Sequence, residues 1–129
     1  MKLDSQIKHF TKISLDKANS AVKRVTKGTM EDIIRKTAVD TGLLVNNWIT
    51  SKGNPEFKVD RLADESASDS LQGINDVTKN YTKKDWGMSI WMTNSLHYAN
   101  AIEMGTRSKK SPQGMLRISV LESPKHLKK

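Results

Sequence analysis

The sequence predicts an α+β protein, with a long N-terminal helical stretch followed by a small β-sheet and packed short helices. Three observations carry this expectation. Apolar residues recur at three- and four-residue steps through the first part of the chain, the period of one helix face. Met88, Ile90 and Met92 alternate with Ser89, Trp91 and Thr93, the period of a strand. With 129 residues and 36% hydrophobic content, the chain has the length of one domain and the means for a modest core. It divides into an N-terminal helical segment (1–42), a sheet–helix core (43–123) and a basic tail (124–129).

Across residues 5–36, Ile7, Phe10, Ile13, Ala18, Ala21, Val22, Val25, Met30, Ile33 and Ile34 keep mostly helical spacing, with lysines and arginines between them. Glycine costs about 1 kcal/mol in a helix interior, so Gly28 leaves two readings, one long helix or two in tandem. Val39-Asp40-Thr41-Gly42 ends the pattern at a glycine able to take a positive φ. Residues 43–50 read as a strand with Val45 and Ile49 on one face and Leu44 and Trp48 on the other. A loop closes it at 51–55. Residues 56–70 are acidic and poorly periodic, the segment expected to move most, with a third strand compatible around 57–62. Leu71, Ile74, Val77 and Tyr81 predict a helix over 70–81, capped by Ser70 and docked on the sheet.

After a turn at 83–85, the alternating residues 88–93 form the second strand. Asn94 or Ser95 then caps a short helix with Leu96, Ala99 and Ile102 on one face and Gly105 at its stop. Beyond a basic loop, Ser111-Pro112 has the form of an N-cap followed by proline. Met115, Ile118 and Leu121 would line the inner face of a last helix stopped by Pro124. Leu116, Ile118 and Val120 also alternate, so 115–123 reads as helix or strand. The end of the chain is expected to fray.

Charge and chemistry narrow the function. The net charge of +8 is uneven: residues 1–42 carry nine basic and five acidic groups, 43–82 four and six, and 83–129 nine and three. Basic ends around an acidic middle suit DNA, an anionic surface or an acidic protein neighbour, although lysine-rich helix faces are most often simply solvated. The absence of cysteine excludes disulfides, thiolate catalysis and cysteine zinc sites. No apolar run resembles a signal peptide or a membrane span, so the chain is expected to be soluble where it is made, with no membrane partner.

His9, His97 and His126 lie far apart and form no close ligand pattern. His97 and Glu103, six residues apart on a helix, project in different directions. There is no phosphate-cradling glycine loop and no nucleophile elbow. The sequence therefore points away from an enzyme and offers no catalytic, cofactor-binding or metal-binding residue. Trp86 and Trp91, with Tyr81 and Tyr98, suggest a stacking platform for single-stranded nucleic acid; such rings more often anchor a core or an interface. Arg107, Lys109 and Lys110, followed by Gln113, form the candidate contact loop.

Two blocks stand out. Residues 39–48 read VDTGLLVNNW and residues 94–115 read NSLHYANAIEMGTRSKKSPQGM. In order they supply Asp40, Thr41 and Gly42, then Asn47-Trp48, Thr93-Asn94 before Tyr98-Ala99, Glu103 and Gly105, and Pro112-Gln113-Gly114-Met115. With this order and spacing, the chain resembles the neck and tail-completion proteins of tailed bacteriophages, the head–tail connector and minor tail group of the lambda minor tail protein Z type. It departs from that pattern at Leu44-Val45, where the family commonly carries arginine or lysine, and at Pro124, which shortens the last helix.

The resemblance implies an α+β subunit whose small, mainly antiparallel sheet carries helices. It further implies a homo-oligomeric ring at the neck of a virion, made in the host bacterial cytoplasm and needing no cofactor. The ring would join portal and head-closure proteins to tail terminator or tail-tube proteins, with packaged DNA passing through or near it. On that reading Arg107, Lys109, Lys110 and Gln113 contact a neighbouring subunit or ring. Trp48, Trp91 and Tyr98 hold the sheet against the short helix. The competing expectation is a small basic nucleic-acid-binding module acting through the N-terminal lysine face.

Overall fold

The computed structural model describes residues 2–104 and 114–127. The chain is α+β: a long helix, a two-stranded antiparallel sheet, and short helices packed around both. Helix α1 spans Lys2–Lys36 without interruption, about 50 Å at 1.5 Å per residue. Gly28 does not divide it. A side chain there would collide with the His126 ring, which lies against the helix at this point. The glycine serves close approach and its helical penalty is tolerated.

Gly42, at φ 91°, turns the chain into a short helix α2 (Leu43–Asn46). The strand expected over 43–50 is therefore confined to β1 (Ile49–Lys52). Leu44, Val45 and Trp48 all reach the core with Met30, Ile33, Ile34 and Ile74, so burial on every side, not alternation, governs this stretch. The Asn46 amide donates to Gly42 O and the Asn47 amide to Leu44 O, closing the turn.

No third strand forms over 57–62 among the described residues. Residues 55–67 instead make an irregular strap from β1 to α3, tied to the body by asparagine side chains. Asn47 accepts from Arg61 N (3.2 Å) and donates to Arg61 O (3.2 Å), while Asn46 Nδ2 donates to Leu62 O (2.8 Å). These bonds satisfy strap backbone that would otherwise need a ladder.

Helix α3 (Ser68–Asn80) starts before the expected N-cap Ser70. Ser70 is buried within it, and its hydroxyl accepts from Trp48 N at 3.0 Å. The helix start is served by Asp64, whose carboxylate takes the amides of Ser66 (2.9 Å) and Ser68 (3.3 Å), and by Asn46 Oδ1, which takes those of Asp69 and Ser70. A 3-10 turn, Lys83–Asp85, carries a reciprocal Thr82–Asp85 capping box. Strand β2 (Ile90–Thr93) then pairs antiparallel with β1, placing Ile49 opposite Thr93 and Lys52 opposite Ile90.

Helix α4 (Ala99–Glu103) begins at Tyr98 and so later than Asn94 or Ser95 would set it. Asn94 makes a turn with Leu96 N (3.2 Å) and donates to Leu44 O across the core (2.8 Å). Residues 116–122 are helical, which decides between the two readings left open for this segment. In α5 (Leu116–Glu122) the inward positions are Met115 and Ser119, whereas Leu121 faces solvent, contrary to the expected stripe. The α-helix ends at Glu122, just ahead of Pro124 as expected, but the described residues beyond it are not frayed. Ser123–Leu127 continues as a 3-10 segment lying on α1.

Candidate functional site

The residues of the two sequence blocks meet in one joint. Gly42 presses against the backbone of Asp64 and Glu65, too close for any side chain, and its carbonyl accepts from Asp64 N at 3.1 Å. Asp40 and Thr41 are exposed beside it, and Thr41 Oγ1 accepts from Leu43 N at 3.2 Å. Trp48 is almost fully buried, and its indole donates to Thr37 Oγ1 at 2.9 Å. Asn94 ties the second block to the first through Leu44 O.

Glu103 is the centre of the second block. Its Oε1 accepts from Met115 N (2.8 Å) and Leu116 N (2.7 Å), and its Oε2 from Arg117 N and Nε (both 3.1 Å). Arg117 Nη2 also donates to Glu103 O at 2.6 Å. Burial works to raise the pKa of this carboxyl, but the three backbone donors and Arg117 together hold it below the ordinary range. Gly114, at φ 85°, lies so close to Glu103 that a Cβ would strike the carboxylate. This carboxylate fastens α5 to α4 and has no oxygen left for proton transfer. His97 is exposed and meets the edge of Tyr98, with centroids 5.2 Å apart, so it forms no acid–base pair with Glu103.

The aromatic residues serve separate joints. Tyr98 is half-buried against the core at the start of α4, and burial, with the nearby charge of Asp40, raises its pKa. Trp91 does not clamp the sheet to α4: it is exposed, and its indole donates to Gly53 O at 3.0 Å. Tyr81 is buried and donates to Met88 O (3.1 Å), and Trp86 braces α1 through Asn19 (3.0 Å). Among the described residues these rings do not stack on one another, so they make no continuous platform for bases.

Gly105, Arg107, Lys109, Lys110, Pro112 and Gln113 lie outside the described residues. Among the described residues no group of His, Asp and Glu could hold a metal ion, and no helix is long and apolar enough to cross a membrane.

The chain matches no protein-family model, no curated protein and no solved structure. Its site must therefore be read from its own surfaces.

Two surfaces are conspicuous. The first is the N-terminal part of α1, where every residue from Asp4 to Ala18 is exposed. Among the described residues its polar links to the body begin at Asp16, paired with Lys83 at 2.7 Å, and at Asn19. Ile7 (55% exposed) and Phe10 (71%) stand uncovered on this arm. The second is the strap, where Phe57 (76%), Val59 and Leu62 (85%) are exposed among Glu56, Lys58 and Asp60. A groove of about 440 Å³ runs between the strap and β1, lined by Glu56, Asp60 and Asp69 together with Lys58 and Arg61.

Sequence reasoning gave no such role to the residues that tie the strap and the tail to the body. Asn46 and Asn47 look like strand residues, yet they hold the strap. Arg61 is half-buried, and its guanidinium turns toward the body to donate to Trp48 O at 2.7 Å. Asp32 is buried on α1, with Nε2 of His126 at 2.7 Å, Lys125 at 3.2 Å and Arg35 as a further partner. Arg24 adds bonds to the carbonyls of His126 and Leu127. A signal was present: Asp32 follows Gly28 by four residues, on the same helix face.

Proposed function

We propose that this chain is a structural virion protein of a tailed bacteriophage, a ring-forming neck or tail-completion subunit. It would join the portal and head-closure complex to tail terminator or tail-tube proteins, with the packaged DNA passing through or near the ring. The observation that carries this reading is the ordered pair of blocks at 39–48 and 94–115. Its residues Gly42, Trp48, Asn94, Glu103 and Gly114 are all engaged in tying one α+β joint together. A projecting arm and an uncovered apolar strap supply the kind of unlike surfaces that heterologous, head-to-tail contacts require. The committed state of Glu103 agrees with a scaffold role.

The test is genetic and morphological. In a phage lacking this gene, electron microscopy should reveal DNA-filled heads and free tails that fail to join, and the cloned gene should restore joined particles. Normal yields of infectious, tailed particles without it would refute the reading.

A further inference from the structure

We infer that the exposed arm of α1 docks on the strap of a second copy of this chain, making a head-to-tail contact that repeats from subunit to subunit. This names the subunit contact of the ring reading above and rests on it for closure into a ring.

The arm and the strap are unlike but complementary. Residues 1–20 carry Lys2, Lys8, Lys12 and Lys17 against Asp4 and Asp16, a basic excess. Residues 55–67 carry Glu56, Asp60, Asp64 and Glu65 against Lys58 and Arg61, and Arg61 is turned inward. Lys58 lies between Glu56 (3.5 Å) and Asp60 (3.4 Å), leaving the strap an acidic surface around exposed Phe57 and Leu62. Unlike charges around apolar centres favour this pairing and its register. An arm-to-arm pairing would bring basic segments together.

Continuity along α1 points the same way. Phe10 and Gly28 are eighteen residues apart, about five turns at 3.6 residues per turn, and so share a face. Over Gly28 and Asp32 that face is already covered by the 3-10 segment Ser123–Leu127 of the chain itself. Lys17 follows Phe10 by about two turns on the same side. An irregular, acidic strap from a neighbour would continue this covering along Phe10 and Ile7, where the chain leaves the helix bare.

Light scattering of purified wild-type and variant chains tests the contact. Ile7→Ser with Phe10→Ser blunts the arm, and Phe57→Ser with Leu62→Ser blunts the strap. All four sites are exposed, and circular dichroism checks that each variant keeps its helix content. The wild type should self-associate, more weakly as salt rises, and each variant alone should fall to the mass of one protomer. A mixture of the two should form heterodimers, because one intact arm meets one intact strap. A monomeric wild type, an arm or strap variant that still assembles, or a mixture that stays monomeric would overturn the inference. Mass spectrometry of purified particles separates the two claims. Incorporation without arm–strap association removes this contact and leaves the virion reading standing, whereas absence from particles removes that reading whatever the association.

Discussion

Glu103 concentrates the dependence of the C-terminal region on one carboxylate. Both its oxygens accept from the start of α5, and Arg117 closes the pair. Charged acceptors of this kind contribute about 1.5–3 kcal/mol, so Glu103→Gln should destabilise the fold by roughly that amount, measured by urea denaturation. An unchanged midpoint would mean that α5 is held by packing alone. Gly114 should tolerate no side chain, because its left-handed φ and its closeness to Glu103 act together. The importance of Glu103 and Gly114 was visible in the sequence as part of one block. Their pairing was not, since it joins residues across a loop through a side chain whose direction no periodicity specifies. Trp91 shows the same limit: alternation placed it on a strand, but which face of the sheet would be covered depended on where α4 docked.

At the scale of elements, the long helix and its attached tail behave as a unit. Gly28→Ala removes about 1 kcal/mol of intrinsic helix penalty but pushes a methyl into the His126 ring held by Asp32. The substitution should therefore destabilise the wild-type chain and stabilise a chain already carrying His126→Ala, a sign reversal that thermal denaturation of the four proteins would reveal. Equal effects in both backgrounds would mean that the ring swings aside freely. The start of α3 carries a pH dependence. Hydrogen bonds from Ser66 and Ser68 lower the Asp64 pKa from 3.8 to about 2. A carboxyl with a depressed folded pKa stabilises above its unfolded value, so this contribution is complete above about pH 4 and is lost as pH falls through about 2. Stability profiles between pH 7 and 2 should thus be flatter for Asp64→Asn than for the wild type; parallel profiles would contradict the assignment. Helices α1 and α3 and strand β2 were legible from period alone, being long or strictly alternating. The stretch 43–50 was not, because Leu44, Val45, Trp48 and Ile49 are all buried, and burial on every side leaves no face to count.

For the whole molecule, the division is between a packed body and an arm exposed from Asp4 to Ala18. Amides of residues 5–15 should exchange with solvent far faster than those near Ile33 and Ile34 in the same helix, since only the latter share the core. Equal protection along α1 in the isolated chain would show that the arm is already covered. Several cations are engaged by carboxylates, among them Lys52 with Asp85 and Lys83 with Asp16, which lessens the basic surface open to phosphates. Binding of the purified chain to DNA should accordingly be weak. A tight complex at low salt that weakens steeply as salt rises would favour the nucleic-acid module instead. By itself the sequence determined the α+β class, a helical N-terminal third, the turn at Gly42, the second strand and the basic–acidic–basic order of charge. These follow from local period, glycine stereochemistry and composition. Only the tertiary structure decided that residues 43–46 wind as a helix, that Asn46 and Asn47 hold an unpaired strap, that the tail packs on Gly28 and Asp32, and that the arm stands bare. Each of those depends on which distant groups meet, and local spacing carries no record of such meetings.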